Sequence, residues 1–154
     1  MVSYFFDTSA LVKRYAKEVG TAWVFSLVRP SASNQLYLVR ITGVELVSAL
    51  TRRERAGRLS STAVGKALGR FEREFANRHT TIEVSARLLD AAMKLTRTHA
   101  LRGYDAVQLA GALEVQRART AAGASRLTLI SADDSLNNAA VAEGLLVDNP
   151  NHHP

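Results

Sequence analysis

The sequence predicts an α/β domain with a central parallel β-sheet and helices on both faces. Two observations carry this expectation. Short apolar runs alternate with segments of helical periodicity along almost the whole chain, and the intervals between successive strand-like runs hold the helices that parallel crossovers require. A third observation fixes the scale: 154 residues fit one ordinary domain, and no internal repeat or linker interrupts them. Residues 1–150 are therefore expected to form a single domain, with 151–154 as a short tail.

The elements follow in order. Val2 to Phe6 is apolar and aromatic and reads as a buried strand, and Ser9 to Lys17 reads as a helix with Ser9 as its hydroxyl cap. Thr21 to Val28 reads as a second, short helix that Pro30 ends. The run LYLVRI, Leu36 to Ile41, is the next strand; a helix from Gly43 to Ala56 follows and stops at Gly57. Thr62 to Asn77 is helical, capped by Ser60 or Ser61. TTIEV, Thr80 to Val84, reads as a short strand, Ser85 to His99 as a helix, and Tyr104 to Ala121 as a longer helix that ends before Gly123. Leu127 to Ile130 is a strand, Ser135 to Glu143 a helix, and Leu145 to Val147 a last short strand.

Composition narrows the function classes. Hydrophobic residues at 47% and charged residues at 22% are those of a chain that can bury a core, which excludes a disordered region. The absence of cysteine excludes disulfides, thiolate metal sites and cysteine nucleophiles, and agrees with a reducing compartment. The first apolar run stops at Asp7, short of a signal-peptide core, and nothing approaches a membrane span, so a soluble cytoplasmic protein with no membrane partner is expected. The net charge of +6 favours a polyanionic partner such as nucleic acid. Arg52, Arg53, Arg55, Arg58, Arg70, Arg73 and Arg78 concentrate in the middle of the chain, and arginine forks suit phosphate oxygens. With Glu54, Glu72 and Glu74 beside them, the same residues also read as a solvated helix face.

The acids carry the chemistry. Asp7 ends the first strand, Glu45 opens the helix after LYLVRI, Asp105 opens the long helix, and Asp133 with Asp134 follows LTLIS. Each has a structural reading of its own: Thr42 and Glu45 have capping-box spacing, Asp105 lies in a first helical turn, Asp134 can cap the following helix, and Asp7 can begin a turn. In a doubly wound sheet, however, these strand ends and helix entrances gather on one edge of the molecule. Carboxylates crowded there repel one another unless a cation lies between them. An all-oxygen donor set suits Mg²⁺ or Mn²⁺, and such an ion activates water and stabilises charge on a phosphoryl oxygen. Acid cluster and basic surface together point to phosphodiester hydrolysis.

Four stretches, FDTSALVKRYAKE, ITGVELVSAL, LRGYDAVQLAGAL and LISADDSLNNAAVAEGLLVDNP, resemble in order and spacing the motifs of PIN-domain ribonucleases, specifically the VapC toxins of VapBC toxin–antitoxin pairs. The resemblance spans Asp7 to Pro150. It implies a PIN-like fold and a Mg²⁺- or Mn²⁺-dependent endoribonuclease that cuts RNA, is silenced by a cognate VapB-like antitoxin, and forms a homodimer. Carried over by position, its metal-binding acids fall on Asp7, Glu45, Asp105 and Asp133, and the hydroxyl that supports the last of these acids falls on Ser131. Asp133 is favoured over Asp134 because the serine stands two places before it. Thr8 and Ser9 are candidates to position the attacking water, Lys13 and Arg14 to touch RNA phosphate, and Tyr104 to stack on a base; for Trp23, core packing is the alternative to stacking. His79 and His99 lack metal-ligand spacing and are expected at the surface. Two other classes remain open: a haloacid-dehalogenase-like phosphatase, which lacks its second acid because Ser9 stands at that place, and a catalytically inactive nucleic-acid-binding domain.

Overall fold

A computed structural model describes residues 1–154. Five parallel strands form one sheet: β1 (Ser3–Phe6), β2 (Gln35–Val39), β3 (His79–Ile82), β4 (Leu127–Ile130) and β5 (Leu146–Asp148), in the spatial order β3-β2-β1-β4-β5. All four pairings are parallel, as the alternation of elements predicts. The chain leaves β1 for β2 on one side and returns to β4 on the other. The order therefore reverses between β1 and β4, the crevice where open α/β sheets place their ligands. Phe6 pairs with Ile130, and the Asp7 amide donates to the Ile130 carbonyl at 3.0 Å, so these two strands end level with one another.

Successive side chains of a strand point to opposite faces, and the core divides accordingly. Phe5, Leu127 and Leu129 pack on one face against helices α5 (Ala86–His99), α6 (Gly103–Ala121) and α7 (Asp134–Ala142). Phe6, Leu36, Leu38 and Ile130 pack on the other against α1 (Thr8–Leu11), α2 (Thr21–Val28), α3 (Thr42–Arg55) and α4 (Ser61–Asn77). The strands are apolar on both sides because both sides are covered. No helix is long and apolar enough to cross a membrane.

The first predicted helix is shorter than its sequence suggests. A single turn, α1, tightens into a 3-10 turn at Val12–Arg14 and ends at Tyr15. Polar pairing overrides local propensity there: Lys13 is drawn to Glu18 at 3.4 Å, while Arg14 and Tyr15 both reach Glu74, at 2.7 and 2.5 Å. The cap is Asp7, not Ser9, since the Asp7 carboxylate accepts from the Ser9 amide at 3.2 Å. Likewise the Thr42–Glu45 capping box does not form; α3 starts with Ile41 at its N-cap and no side-chain cap bond, which leaves the Glu45 carboxylate unused by its own helix. His79 departs from its expected surface position. Both its ring nitrogens are buried without a partner, and burial pushes its pKa down to about 4. At the C-terminus, His153 stacks on Trp23 with 4.0 Å between ring centroids and hydrogen-bonds Asp148 at 2.8 Å.

Helix α6 decides where the site lies. From Ala106 to Ala112 it is buried all round, and its small residues Ala106, Ala110, Gly111 and Ala112 let it settle close on the sheet. A Cβ on Gly111 would stand 2.3 Å from Val39 Cγ2 and 3.1 Å from Phe5 Cζ, both on fixed central strands. Gly111→Ala is therefore expected to destabilise the fold by about 1–2 kcal/mol despite alanine's better helix propensity, because overpacking outweighs that gain. Chemical denaturation compared with Gly65→Ala, whose Cβ would meet nothing within 4 Å, separates the two effects.

Candidate active site

The sheet's C-terminal edge opens into a cavity of about 1050 Å³ whose lining includes Asp7, Glu45, Asp105 and Asp133. Residues 126 positions apart in sequence thus share one wall. The strand ends bring Asp7 and Asp133 to the β1–β4 crevice, α3 contributes Glu45, and the first turn of α6 contributes Asp105. The apolar side of the cavity comes from Val44, Leu89 and Met93. Arg52, Arg53 and Arg102 line it as well, whereas Lys13 and Arg14 do not: both are held in their ion pairs with Glu18 and Glu74.

Asp7 is the most deeply placed of the acids, with 4% of its surface exposed. Its Oδ2 accepts from the Ser9 hydroxyl at 2.5 Å, the Ser9 amide at 3.2 Å and the Ser131 hydroxyl at 3.2 Å. The two serines are fixed in turn, since the Ala132 amide donates to Ser9 Oγ at 2.9 Å and the Asp133 amide to Ser131 Oγ at 3.1 Å. These bonds all fall on one carboxylate oxygen. Hydrogen bonds from Ser9 favour the ionised form, yet burial wins and pushes the Asp7 pKa up to about 6, with the charges of Glu45 and Asp105 adding to the rise.

Glu45 and Asp105 are each held by one oxygen too, whereas Asp133 is held by both. Glu45 Oε2 accepts from the Thr8 hydroxyl at 2.7 Å and from the Gln108 side-chain amide at 2.8 Å. Asp133 Oδ1 caps α7 by accepting from the Leu136 amide at 2.9 Å. The Arg102 guanidinium bridges Asp105 at 3.1 Å and Asp133 Oδ2 at 3.0 Å. Burial and the Asp133 charge raise the Asp105 pKa, and Arg102 opposes that rise. Asp134 is exposed, opens α7, and accepts from the Asn149 side chain at 3.2 Å, away from the cavity. Tyr104 lines the cavity and is exposed. Thr8 lies between Glu45 and Gln108.

In these side-chain positions no three carboxylates close on a single ion, and Arg102 is paired with two of them. The donor chemistry nevertheless fits a hard divalent cation. The donors are all oxygen, and a cation among them would offset the burial that chiefly raises the Asp7 and Asp105 pKa values as well as the repulsion from neighbouring acids that adds to it. Arg102, Gln108 and the buried Asn137, which donates to the Ser131 carbonyl at 2.9 Å, carry no motif that singles them out in the sequence. Their spacing does hold a signal for two of them: Arg102 and Gln108 stand three residues before and after Asp105, one helical turn on either side.

No family model matches the sequence, and no curated protein does. Solved structures match over nearly the whole chain. PAE2754 from Pyrobaculum aerophilum is 21% identical with a TM-score of 0.61, covering 95% of this chain and 89% of its own. The crystal structure of FitAcB from Neisseria gonorrhoeae gives 21% and 0.61, covering 97% and 99%. A toxin–antitoxin complex from Klebsiella pneumoniae gives 18% and 0.59, covering 96% and 97%. At these identities the likeness carries the fold, and the chain has the PIN-like α/β fold.

The buried acid makes stability depend on pH. An unfolded chain releases the Asp7 proton near 3.8, whereas the folded chain holds it to about 6, so between these values the folded state binds more proton and stability falls as pH rises. The metal-free protein is expected to lose about 3 kcal/mol from this group across that window. Asp7→Asn, which keeps a capping side chain, is expected to flatten the slope and to melt no lower than the parent at neutral pH. Thermal melts between pH 4 and 7 in chelator check this; a clearly lower melting point for Asp7→Asn would make Asp7 a structural cap.

Proposed function

We propose that this chain is a Mg²⁺- or Mn²⁺-dependent endoribonuclease and the toxin of a toxin–antitoxin pair. The observation that carries the reading is the convergence of Asp7, Glu45, Asp105 and Asp133 on one cavity at the switch point of a parallel sheet. The fold supports it, being shared with FitAcB and with chains of a toxin–antitoxin complex.

Asp7, Glu45 and Asp105 would hold the ion, with Asp133 completing the set. When bound, the ion supplies a Lewis acid for the phosphoryl oxygen and lowers the pKa of water. The chain's own groups do the rest. Ser9 and Ser131 hold Asp7 by Oδ2, so that its other oxygen is presented to the cavity. Arg102, with 81% of its side chain exposed, can swing from the acids to a phosphate oxygen as RNA enters. Arg52 and Arg53 extend positive charge along the rim, and Tyr104 offers a face on which an unstacked base can rest. Cysteine-free composition accords with a cytoplasmic setting. The exposed Val44, Val47, Leu89 and Met93 on α3 and α5 support contact with a second copy, as a homodimer requires.

Cleavage of RNA is expected to stop in EDTA and to return with excess Mg²⁺ or Mn²⁺. Asp7→Asn and Asp105→Asn are expected to lower the rate by roughly two orders of magnitude or more, since metal stabilisation of the transition state is worth several kcal/mol. Undiminished cleavage by a clean preparation in chelator would remove this reading.

The partner is expected to work through charge. A guanidinium already spans Asp105 and Asp133 in this chain, so the pocket accepts one. An antitoxin arginine, or failing that a lysine, near Asp7 and Asp105 would compete with the ion; the apolar residues beside it, expected from the sequence to pack around Leu11 and Tyr15, would instead meet Val44, Leu89 and Met93 on the cavity wall, because Leu11 is wholly buried in the core. Inhibition should then weaken as Mg²⁺ rises. Inhibition curves at several Mg²⁺ concentrations, with an arginine-to-alanine scan of the antitoxin, read this directly; affinity that ignores both would place the block elsewhere.

A further inference from the structure

Gln108 is wholly buried on α6 and lies against the acid cluster without belonging to it. Its Nε2 stands 2.9 Å from Thr42 Oγ1, 2.8 Å from Glu45 Oε2 and 3.3 Å from Thr8 Oγ1. Thr8 spends its own hydroxyl hydrogen on the same Glu45 oxygen, at 2.7 Å. Two donors from two different elements therefore converge on Oε2 of a carboxylate that its own helix leaves uncapped.

The orientation of the amide is determined by charge. Turning it over would set Oε1, an acceptor, at hydrogen-bond distance from a Glu45 oxygen that is itself accepting from Thr8. In the orientation observed, Oε1 is buried and has no partner at all. A buried carbonyl oxygen without a partner loses its bond to water and gains none in return, which destabilises the fold. The fold accepts that cost here, beside the site, in exchange for a fixed donor on Glu45.

We propose that Gln108 is a positioning residue that locks the Glu45 carboxylate by Oε2 and so aims Oε1 at the cation, with Thr42 anchoring the Gln108 amide from behind. The proposal rests on the nuclease reading for its cation and on the hydrogen bonds alone for the clamp. Thr42 is buried, and the only side-chain bond of its hydroxyl is to Gln108, so it touches the site through Gln108 or not at all.

The test measures Mn²⁺ affinity of the full chain, by electron paramagnetic resonance or calorimetry, for the parent, Gln108→Met, Glu45→Gln and the double variant. Groups that orient a metal ligand from behind typically contribute 10–100-fold in affinity, so Gln108→Met is expected to bind Mn²⁺ roughly 10–100-fold more weakly while its circular dichroism stays that of the parent. In the Glu45→Gln background the same change is expected to do almost nothing, because the two residues act as one unit. Thr42→Val, nearly isosteric, is expected to weaken binding by a smaller factor, and only while Gln108 is present. A purely structural Gln108 would lower the melting point and leave the Mn²⁺ affinity of the folded protein unchanged, which overturns the proposal; so would losses that multiply independently in the double variant.

Should Gln108→Met fail to fold, Thr42→Val decides alone, and an unchanged affinity counts against the clamp. Side-chain amide signals of Gln108 in ¹⁵N spectra of the metal-free protein give a readout that needs no cation. They are expected to exchange slowly with solvent and to shift on Glu45→Gln. If the parent binds no Mn²⁺, the nuclease reading fails, and these signals still decide the clamp: rapid exchange, or no response to Glu45→Gln, removes it.

Discussion

The arrangement of this molecule turns on one unfavourable act, the burial of the Asp7 carboxylate at the end of the central strand. A charge with 4% exposure must be hydrogen-bonded, neutralised or paired. Ser9 and Ser131 supply the first remedy on a single oxygen, and a pKa raised to about 6 shows that they do not fully offset the loss of water. Ser131 can reach Asp7 only because β1 and β4 are paired in a register that ends them level, and that register is set by the apolar alternation of Phe5, Phe6, Leu129 and Ile130 across two cores. Core packing and site chemistry thus meet at the same two strand ends.

Glu45 and Asp105 are held in the same manner, by one oxygen, while both oxygens of Asp133 are engaged. Thr8 and Gln108 restrain Glu45, Arg102 restrains Asp105, and Asp133 is divided between the α7 cap and Arg102. Such one-sided support leaves carboxylate oxygens without protein donors around a shared cavity. Arg102 relieves part of the repulsion, and it does so from an exposed position where it can leave. The stability that a fold gives up by crowding like charges, and by burying the Gln108 carbonyl without a partner, is the usual mark of a site built for binding rather than for folding.

Several features with ordinary explanations in the sequence find other uses in three dimensions. Capping-box spacing at Thr42 and Glu45 is genuine, yet neither side chain caps α3; Thr42 turns inward to Gln108, and Glu45 turns to the cavity. Lys13 and Arg14, basic residues close to Asp7 in sequence, are committed to Glu18 and Glu74. The cations that line the cavity are instead Arg52, Arg53 and Arg102, of which Arg53 is itself paired with Glu18. Local spacing gave the candidates, and competition among distant partners chose between them.

What the sequence by itself determined is the parallel α/β order and the addresses of the acids. Apolar strands, helical periods and Gly and Pro stops are local signals, and an acid at a strand end or helix entrance keeps that place in any sheet of this kind. The VapC-like motifs added the expectation of a PIN-like fold and of Ser131 as support for the last acid, whereas the Ser131 hydroxyl donates to the Asp7 carboxylate and meets Asp133 only through the backbone amide. Only the tertiary structure decided which oxygens face the cavity. The length of the first helix depended on Glu74, 60 residues from Arg14, the bridge of Arg102 on Asp133 lying 31 residues away, and the role of Gln108 on Glu45, 63 residues away. Such bonds form between groups that the chain brings together only after the sheet has closed its β1–β4 crevice, and no window of sequence contains both partners.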